Sequence, residues 1–248
     1  MARPQAGSQV SGDTQMKDIV SAEVLAKFPD YIRGVVIAKE VDNHGENQRL
    51  TELLRKAVEN AARDESLQDI KNHPRVAPWR QAYADFGTNP NKFYCSIESL
   101  ARRARRGDQL PYINTLVALF NYFSLEHMVP SGGDDLDSID GALRLTLARG
   151  DEPFTPLGAD TVENPPPGEV IYVDNSKVMC RRWNWRQSDQ TKLSPATTRV
   201  AINVDCLPPV SKREAEAITA ELAHLVQEFC GGEVKYLLLE AAHNEAET

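Results

Sequence analysis

INTLVALFNYFSLEHMVPSGGDDLDSIDGALRLTLA, residues 113–148, changes its periodicity part-way along, and that change decides the fold class. From Ile113 to His127 the apolar residues Ile113, Leu116, Val117 and Phe120 recur at helical spacing and make a core stripe. Asn114 and Asn121 stand seven residues apart, on one edge of that stripe. An amide at the border of a core can reach into a pocket and orient a polar ligand, although two satisfied boundary amides would look the same. After Gly141 the texture differs, because ALRLTLA alternates with the period-two pattern of a strand.

Upstream of this stretch, helices dominate. Residues 22–27 read as a short helical turn, and IRGVVIAKEV (residues 32–41) as a β-branched strand. DNHGE then turns the chain into a helix over 47–63. Another helix starts near Pro78 and stops at GTNP (residues 87–90). Ser96 is a fitting N-cap for a helix through Arg106, which Gly107 ends. Downstream, strands prevail. Residues 169–174 and 177–182 face each other across Asn175–Ser176 as a hairpin, and TRVAINVD (residues 198–205) alternates. A helix over 211–229, capped by Ser211 and closed by Gly231, precedes a last strand over 233–240. Without βαβ alternation, this order predicts an α+β fold, a central, mostly antiparallel sheet with helices packed on it.

The chain has 248 residues, 41% of them hydrophobic, which suffices for a sizeable core. Residues 1–15 carry no apolar signal-peptide core and read as a disordered leader ahead of one domain over 16–248. No apolar run is long enough for a membrane helix. Cys95, Cys180, Cys206 and Cys230 form no CxxC pair, so we expect free thiols in a reducing cytoplasm, no metal site and no cofactor. GxSxG, HExxH, P-loop and GxGxxG signatures are absent.

The formal charge of −8 argues against a nucleic-acid partner, but its distribution reverses that reading. Residues 75–106 sum to +5 and residues 181–199 to +4. Arg102, Arg105 and Arg106 share one face of the predicted helix, and guanidinium forks suit phosphate oxygens. A solvated face would carry the same pattern. CRRWNWR (residues 180–186) is the least ordinary heptapeptide: in an extended chain Trp183 and Trp185 point one way, and Arg182, Asn184 and Arg186 the other. Aromatic faces stack on bases while arginines bind phosphate, and a structural tryptophan pair is the plainer alternative. The acidic run Asp134, Asp135, Asp137, Asp140 lacks EF-hand spacing and fits either a solvated turn or a lip that attracts a cationic substrate.

Residues 113–158, continued by GEVIYVDNSKVMCRRWNWR and SPATTRVAINVD, resemble the B3/B4 editing domain of the phenylalanyl-tRNA synthetase β chain, over about Trp79 to Asp205. YADFGTNPNKFYCSIESLARR and CRRWNWRQSDQT are closer still to stand-alone members of that family. The resemblance implies hydrolysis, in trans, of the ester between a wrong amino acid and the tRNA terminal ribose. The chain resembles the stand-alone type that deacylates canavanyl-tRNA(Arg), so the acceptor end of tRNA(Arg) is the implied partner.

Carried over residue by residue, the asparagine of the family's TNY motif falls on Asn121, and its INN start on Ile113 and Asn114. The QPxHAFD histidine falls on Gly132, which removes a ring from the pocket. The bare AGIMGG strand end is replaced by residues 181–186. Asn121 and Asn114 are thereby expected to orient the reacting groups. Arg181, Arg182 or Arg186 would hold the terminal phosphates, Trp183 or Trp185 would stack on the terminal adenosine, and Asp134, Asp135, Asp189 or Glu98 would read a cationic side chain. An inactive tRNA-binding module and a hydrolase of small amino-acid derivatives are the competing expectations.

Overall fold

The computed structural model describes residues 16–247, so the leader expected over residues 1–15 lies outside the described residues. In chain order the elements are β1 (Lys17–Val20), α1 (Ala22–Lys27), β2 (Ile32–Lys39), α2 (Gln48–Arg63), α3 (Ala77–Asp85), α4 (Ser96–Arg105), α5 (Thr115–His127), β3 (Ser131–Asp135), β4 (Leu143–Leu147), β5 (Val170–Val173), β6 (Val178–Arg181), β7 (Arg186–Gln187), β8 (Arg199–Cys206), α6 (Lys212–Cys230), β9 (Glu233–Leu239) and β10 (Glu245–Glu247).

The α+β expectation holds, with the strands divided between two sheets rather than gathered in one. A six-stranded sheet has the order β10-β1-β4-β5-β6-β7, and a four-stranded sheet the order β3-β8-β2-β9. All pairings are antiparallel except β1 with β4.

The four-stranded sheet is the middle layer, which explains why β2 and β8 are buried on both faces. One face, carrying Val36, Ala38, Val200, Ile202 and Val204, packs with Leu50 and Leu54 of α2, Leu116 and Phe120 of α5, and Ile218 and Leu222 of α6. The other, carrying Val35, Ile37 and Ala201, packs with Leu143, Val170 and Tyr172 of the six-stranded sheet. Helix α6 crosses Gly34 so closely that a Cβ there would meet Thr219 Oγ1 at 2.1 Å. Each fully buried aliphatic side chain in these layers contributes roughly 1.5–3 kcal/mol of transfer free energy.

Capping explains most helix boundaries. Asn47, Asn114 and Ser211 each accept a hydrogen bond from the first turn that follows. Cys95, not Ser96, takes the N-cap position of α4, and Ser96 is its first helical residue. Helix α5 starts at Thr115, so Ile113 precedes it and is 61% exposed instead of joining the core stripe. The hairpin across Asn175–Ser176 forms as expected because the Asp174 carboxylate accepts from the backbone N–H groups of Ser176 and Lys177.

Residues 182–185 are not extended. Arg182 and Trp183 have φ of 48° and 63°, a left-handed turn between β6 and β7 that sends the two tryptophans to different places. SGGDD forms β3, an edge strand of the middle sheet, in place of a solvated turn.

Candidate functional site

The inner face of the middle sheet carries a polar stripe, and the site is built on it. Arg33 is completely buried between the sheets, paired with Asp18 of β1 and with Asn203 of β8, its guanidinium 4.7 Å from the Tyr172 ring centre. Asp205, the β8 residue opposite Arg33 in the ladder, accepts from Tyr31 and Tyr172, both at 2.6 Å on the same oxygen. Burial, followed by the nearby Asp205 charge, pushes both phenols well above their ordinary range, so they stay protonated donors. Asn184 gives its amide N–H to the other Asp205 oxygen at 3.1 Å and accepts from Tyr83 at 3.0 Å. Apart from Asp18 Oδ2, which is buried without a hydrogen-bond partner, these residues satisfy one another, which makes the stripe a rigid base.

Above it lies a cavity of about 210 Å³, lined by Ser131, Gly132, Gly133 and Asp134 of β3, Asn203 and Asp205 of β8, Tyr172, Cys180, and Trp183 to Gln187 of the turn. Its volume is the share of about seven waters in the liquid and falls below the roughly 300–1,000 Å³ of drug-sized pockets. It suits a single amino-acid moiety. A Cβ at Gly132 would meet nothing within 4 Å, so the floor beside Asp134 is open. Asp134 is buried, accepts from Thr191 at 2.6 Å and from Gln187 at 3.2 Å, and burial raises its carboxyl to about 6. At neutral pH it is mostly ionised, with too few donors to satisfy a full charge. Cys180 also lines the cavity, but burial pushes its thiol well up, which leaves no thiolate nucleophile.

A shallow groove shares Trp185, Arg186 and Gln187 with the cavity and adds Lys92, Tyr94, Ser99 and Leu157. Trp185 is half-buried, edge-on to Phe93 at 5.0 Å, with the Arg182 guanidinium 4.3 Å from its centre. Arg186 is exposed and donates to the Leu157 carbonyl at 3.0 Å.

The structure therefore brings together Gly132, Asp134, Asn184, Trp185 and Arg186 of the sequence-derived candidates and gives others different surroundings. Trp183 lines the cavity yet is fully buried among Phe28, Tyr31, Trp79 and Phe86, because the left-handed turn points it inward; no base can stack on it. Arg181 is buried, chelated by Glu169 at 2.9 and 3.0 Å and by Glu163 at 2.8 Å. Arg182 is sandwiched over Phe93 at 3.7 Å and beside Glu169, and burial lowers its pKa. Asn114 is spent as a cap, accepting from Val117 at 2.9 Å and donating to the Leu193 carbonyl at 3.3 Å. Asn121 is half-buried on α5 and is not among the cavity-lining residues.

The remaining candidates also have structural partners. Glu98 is buried between Arg80 at 2.9 Å and Arg102 at 2.7 Å. Arg102 stacks on Tyr94, Arg105 caps the end of α2 through the Ala62 and Asp64 carbonyls, and Arg106 pairs with Asp108. Asp135 accepts from Asp137 N–H and Thr197, while Asp189 accepts from Gly158 N–H and Lys192. Sequence reasoning missed Tyr172, Asn203 and Asp205, whose only signal was their place as polar residues within strands 170–173 and 199–206, and also Gln187 of β7 and Thr191 of the loop after it, which carried no signal of their own. Among the described residues no helix is long and apolar enough to cross a membrane, and no cluster of three or more His, Cys, Asp or Glu is arranged to hold a metal ion.

Among solved structures, an N-terminal fragment of the phenylalanyl-tRNA synthetase β-subunit from Pyrococcus horikoshii is similar at a TM-score of 0.42 and 14% identity. The alignment covers 88% of this chain and 49% of that fragment, so the chain spans about half its length. No curated protein sequence matches the chain. The family model of the B3/4 domain matches residues 78–231, a span that contains β3 to β8 and the whole cavity lining, and the chain accordingly belongs to the B3/4 domain family.

Proposed function

We propose that the chain is an aminoacyl-tRNA deacylase acting in trans, and that the cavity receives the amino acid while the adjoining groove receives the terminal nucleotide. The observation that carries this reading is the junction itself. An amino-acid-sized cavity walled by a buried carboxylate opens at Trp185 and Arg186 into a groove with a lysine and two aromatic rings. Trp185 and Tyr94 would supply stacking surface, and Lys92 and Arg186 would meet phosphate. An aminoacyl ester is already activated, so a positioned water and a polarised carbonyl suffice and no nucleophilic triad is needed.

Asp134 gives the side-chain preference. A buried carboxylate with only two hydrogen-bond donors favours a cationic or multiply donating side chain, which a guanidino group provides. Canavanine on tRNA(Arg) is the leading substrate. The decisive assay is single-turnover hydrolysis of a panel of mischarged tRNAs. Fast release of canavanine and slow release of tyrosine or alanine would support the reading. Tight tRNA binding without turnover across the panel would replace it with a binding module. Turnover independent of salt would indicate a small-molecule substrate, because a tRNA complex weakens steeply as salt rises.

A further inference from the structure

Strand β3 is the edge of the middle sheet, and its register determines which backbone groups look away from β8. Asp205 N–H bonds the Pro130 carbonyl at 3.0 Å, so positions 130, 132 and 134 face β8 in the ladder while 131, 133 and 135 face outward. Part of that outward edge is already covered. The Gly133 carbonyl accepts from Gln187 at 2.7 Å, and Asp135 N–H donates to the Thr191 carbonyl at 3.0 Å. The Ser131 carbonyl and the Gly133 N–H remain uncovered among the described residues, and both residues line the cavity. Between them Gly132 leaves open space on the face that carries Asp134.

We propose that the aminoacyl group adds to this edge as a one-residue parallel strand beside Gly132. The Gly133 N–H then polarises the ester carbonyl, and the Ser131 carbonyl receives the α-ammonium group. This rests on the deacylase reading and specifies how that site holds the substrate main chain. In a parallel pair, one residue bonds the two neighbours of the residue opposite it, which are here Ser131 and Gly133. The substrate backbone would lie about 4.8 Å from β3. Its side chain would fall on the Gly132 face, beside Asp134, in the space a side chain at 132 would occupy. Gly133 is bare for a packing reason as well, since a Cβ there would stand 3.0 Å from the Ala201 carbonyl and 3.1 Å from Phe120. In the reaction a water oxygen bonds to the carbonyl carbon, the bond from that carbon to the ribose oxygen breaks, and the water's proton passes to the ribose oxygen. Negative charge on the carbonyl oxygen develops where the Gly133 N–H points.

The test replaces Gly133 by glycolate in the full-length protein, which exchanges one outward N–H for an ester oxygen, keeps every β3 N–H that faces β8, and weakens only the Gly132 carbonyl as an acceptor in the ladder. Hydrolysis of canavanyl-tRNA is then compared with that of the deamino-acyl analogue, with thermal melting to verify folding. Loss of one such donor should lower kcat about 100-fold or more. The deamino substrate should react about 10- to 100-fold more slowly with the wild-type protein. Gly132→Ala, whose Cβ has room, should raise KM for the long substrate more than for alanyl-tRNA. Wild-type kcat in the glycolate protein, or equal rates for both esters, would overturn the edge proposal while leaving deacylation standing. No turnover of any aminoacyl-tRNA by the wild-type protein would remove both.

Discussion

Asn184 donates its amide N–H to Asp205 at 3.1 Å, and this contact fastens the left-handed turn after β6 to the inner face of β8. The turn supplies one wall of the cavity and β8 its floor, so the distance between them is set by this bond and by the Tyr83 hydroxyl on the other end of the same amide.

Replacing Asn184 by Ala should therefore cost about 1–3 kcal/mol, because it leaves Tyr83 and one Asp205 oxygen without their partner. Urea denaturation measures this as a lower midpoint with an unchanged slope. The turn would also loosen, so deacylation should fall more than stability alone explains.

Asp134 predicts a pH dependence of two kinds. Its carboxyl is raised from 3.8 to about 6, so between these values the folded protein keeps a proton that the unfolded chain has released. Stability contributed by this residue is then lost as pH rises through that window and level above it. Asp134→Asn should abolish that slope in thermal melts. For a cationic substrate kcat/KM should rise through about pH 6 in the wild-type protein and stay flat and low in Asp134→Asn.

Arg181 and Arg186, opposite one another on β6 and β7, should behave differently. Arg181→Ala leaves the buried Glu169 carboxylate with only Arg182 beside it and should destabilise the fold by roughly 3 kcal/mol. Arg186→Ala should leave the melting temperature nearly unchanged and reduce the salt slope of tRNA binding by about one. A filter-binding titration across salt concentrations, beside a melting curve for each variant, separates the two.

Asn114→Ala should cost about 1 kcal/mol by removing the cap of α5. Its kcat/KM per folded molecule should match the wild type, in contrast with a role in orienting the substrate.

Much of the fold was legible because local chemistry agrees with it. Asp174 and Asn175–Ser176 announce the hairpin, Ser211 and Gly231 bracket α6, and alternation marks β8. Other parts depend on partners far away in the chain. Arg33, Asn203 and Asp205 look like the outward face of half-exposed strands, yet they face a second sheet and are buried through contacts with Asp18, Tyr31 and Tyr172. β3 was hidden because Gly and Asp disfavour strands and only pairing with β8 extends them. Arg and Trp carry no preference for left-handed φ, so an extended chain was the natural reading of CRRWNWR.

The most direct measurement is amide NMR of the protein titrated with a non-hydrolysable amide analogue of 3′-canavanyl-adenosine. Binding in the cavity predicts shifts concentrated at Gly132, Gly133, Asp134 and Gln187, with weaker ones at the indole N–H of Trp185, and attenuation in Asp134→Asn. Shifts confined to the Asn121 side of α5, or to the arginines of α4, would contradict it.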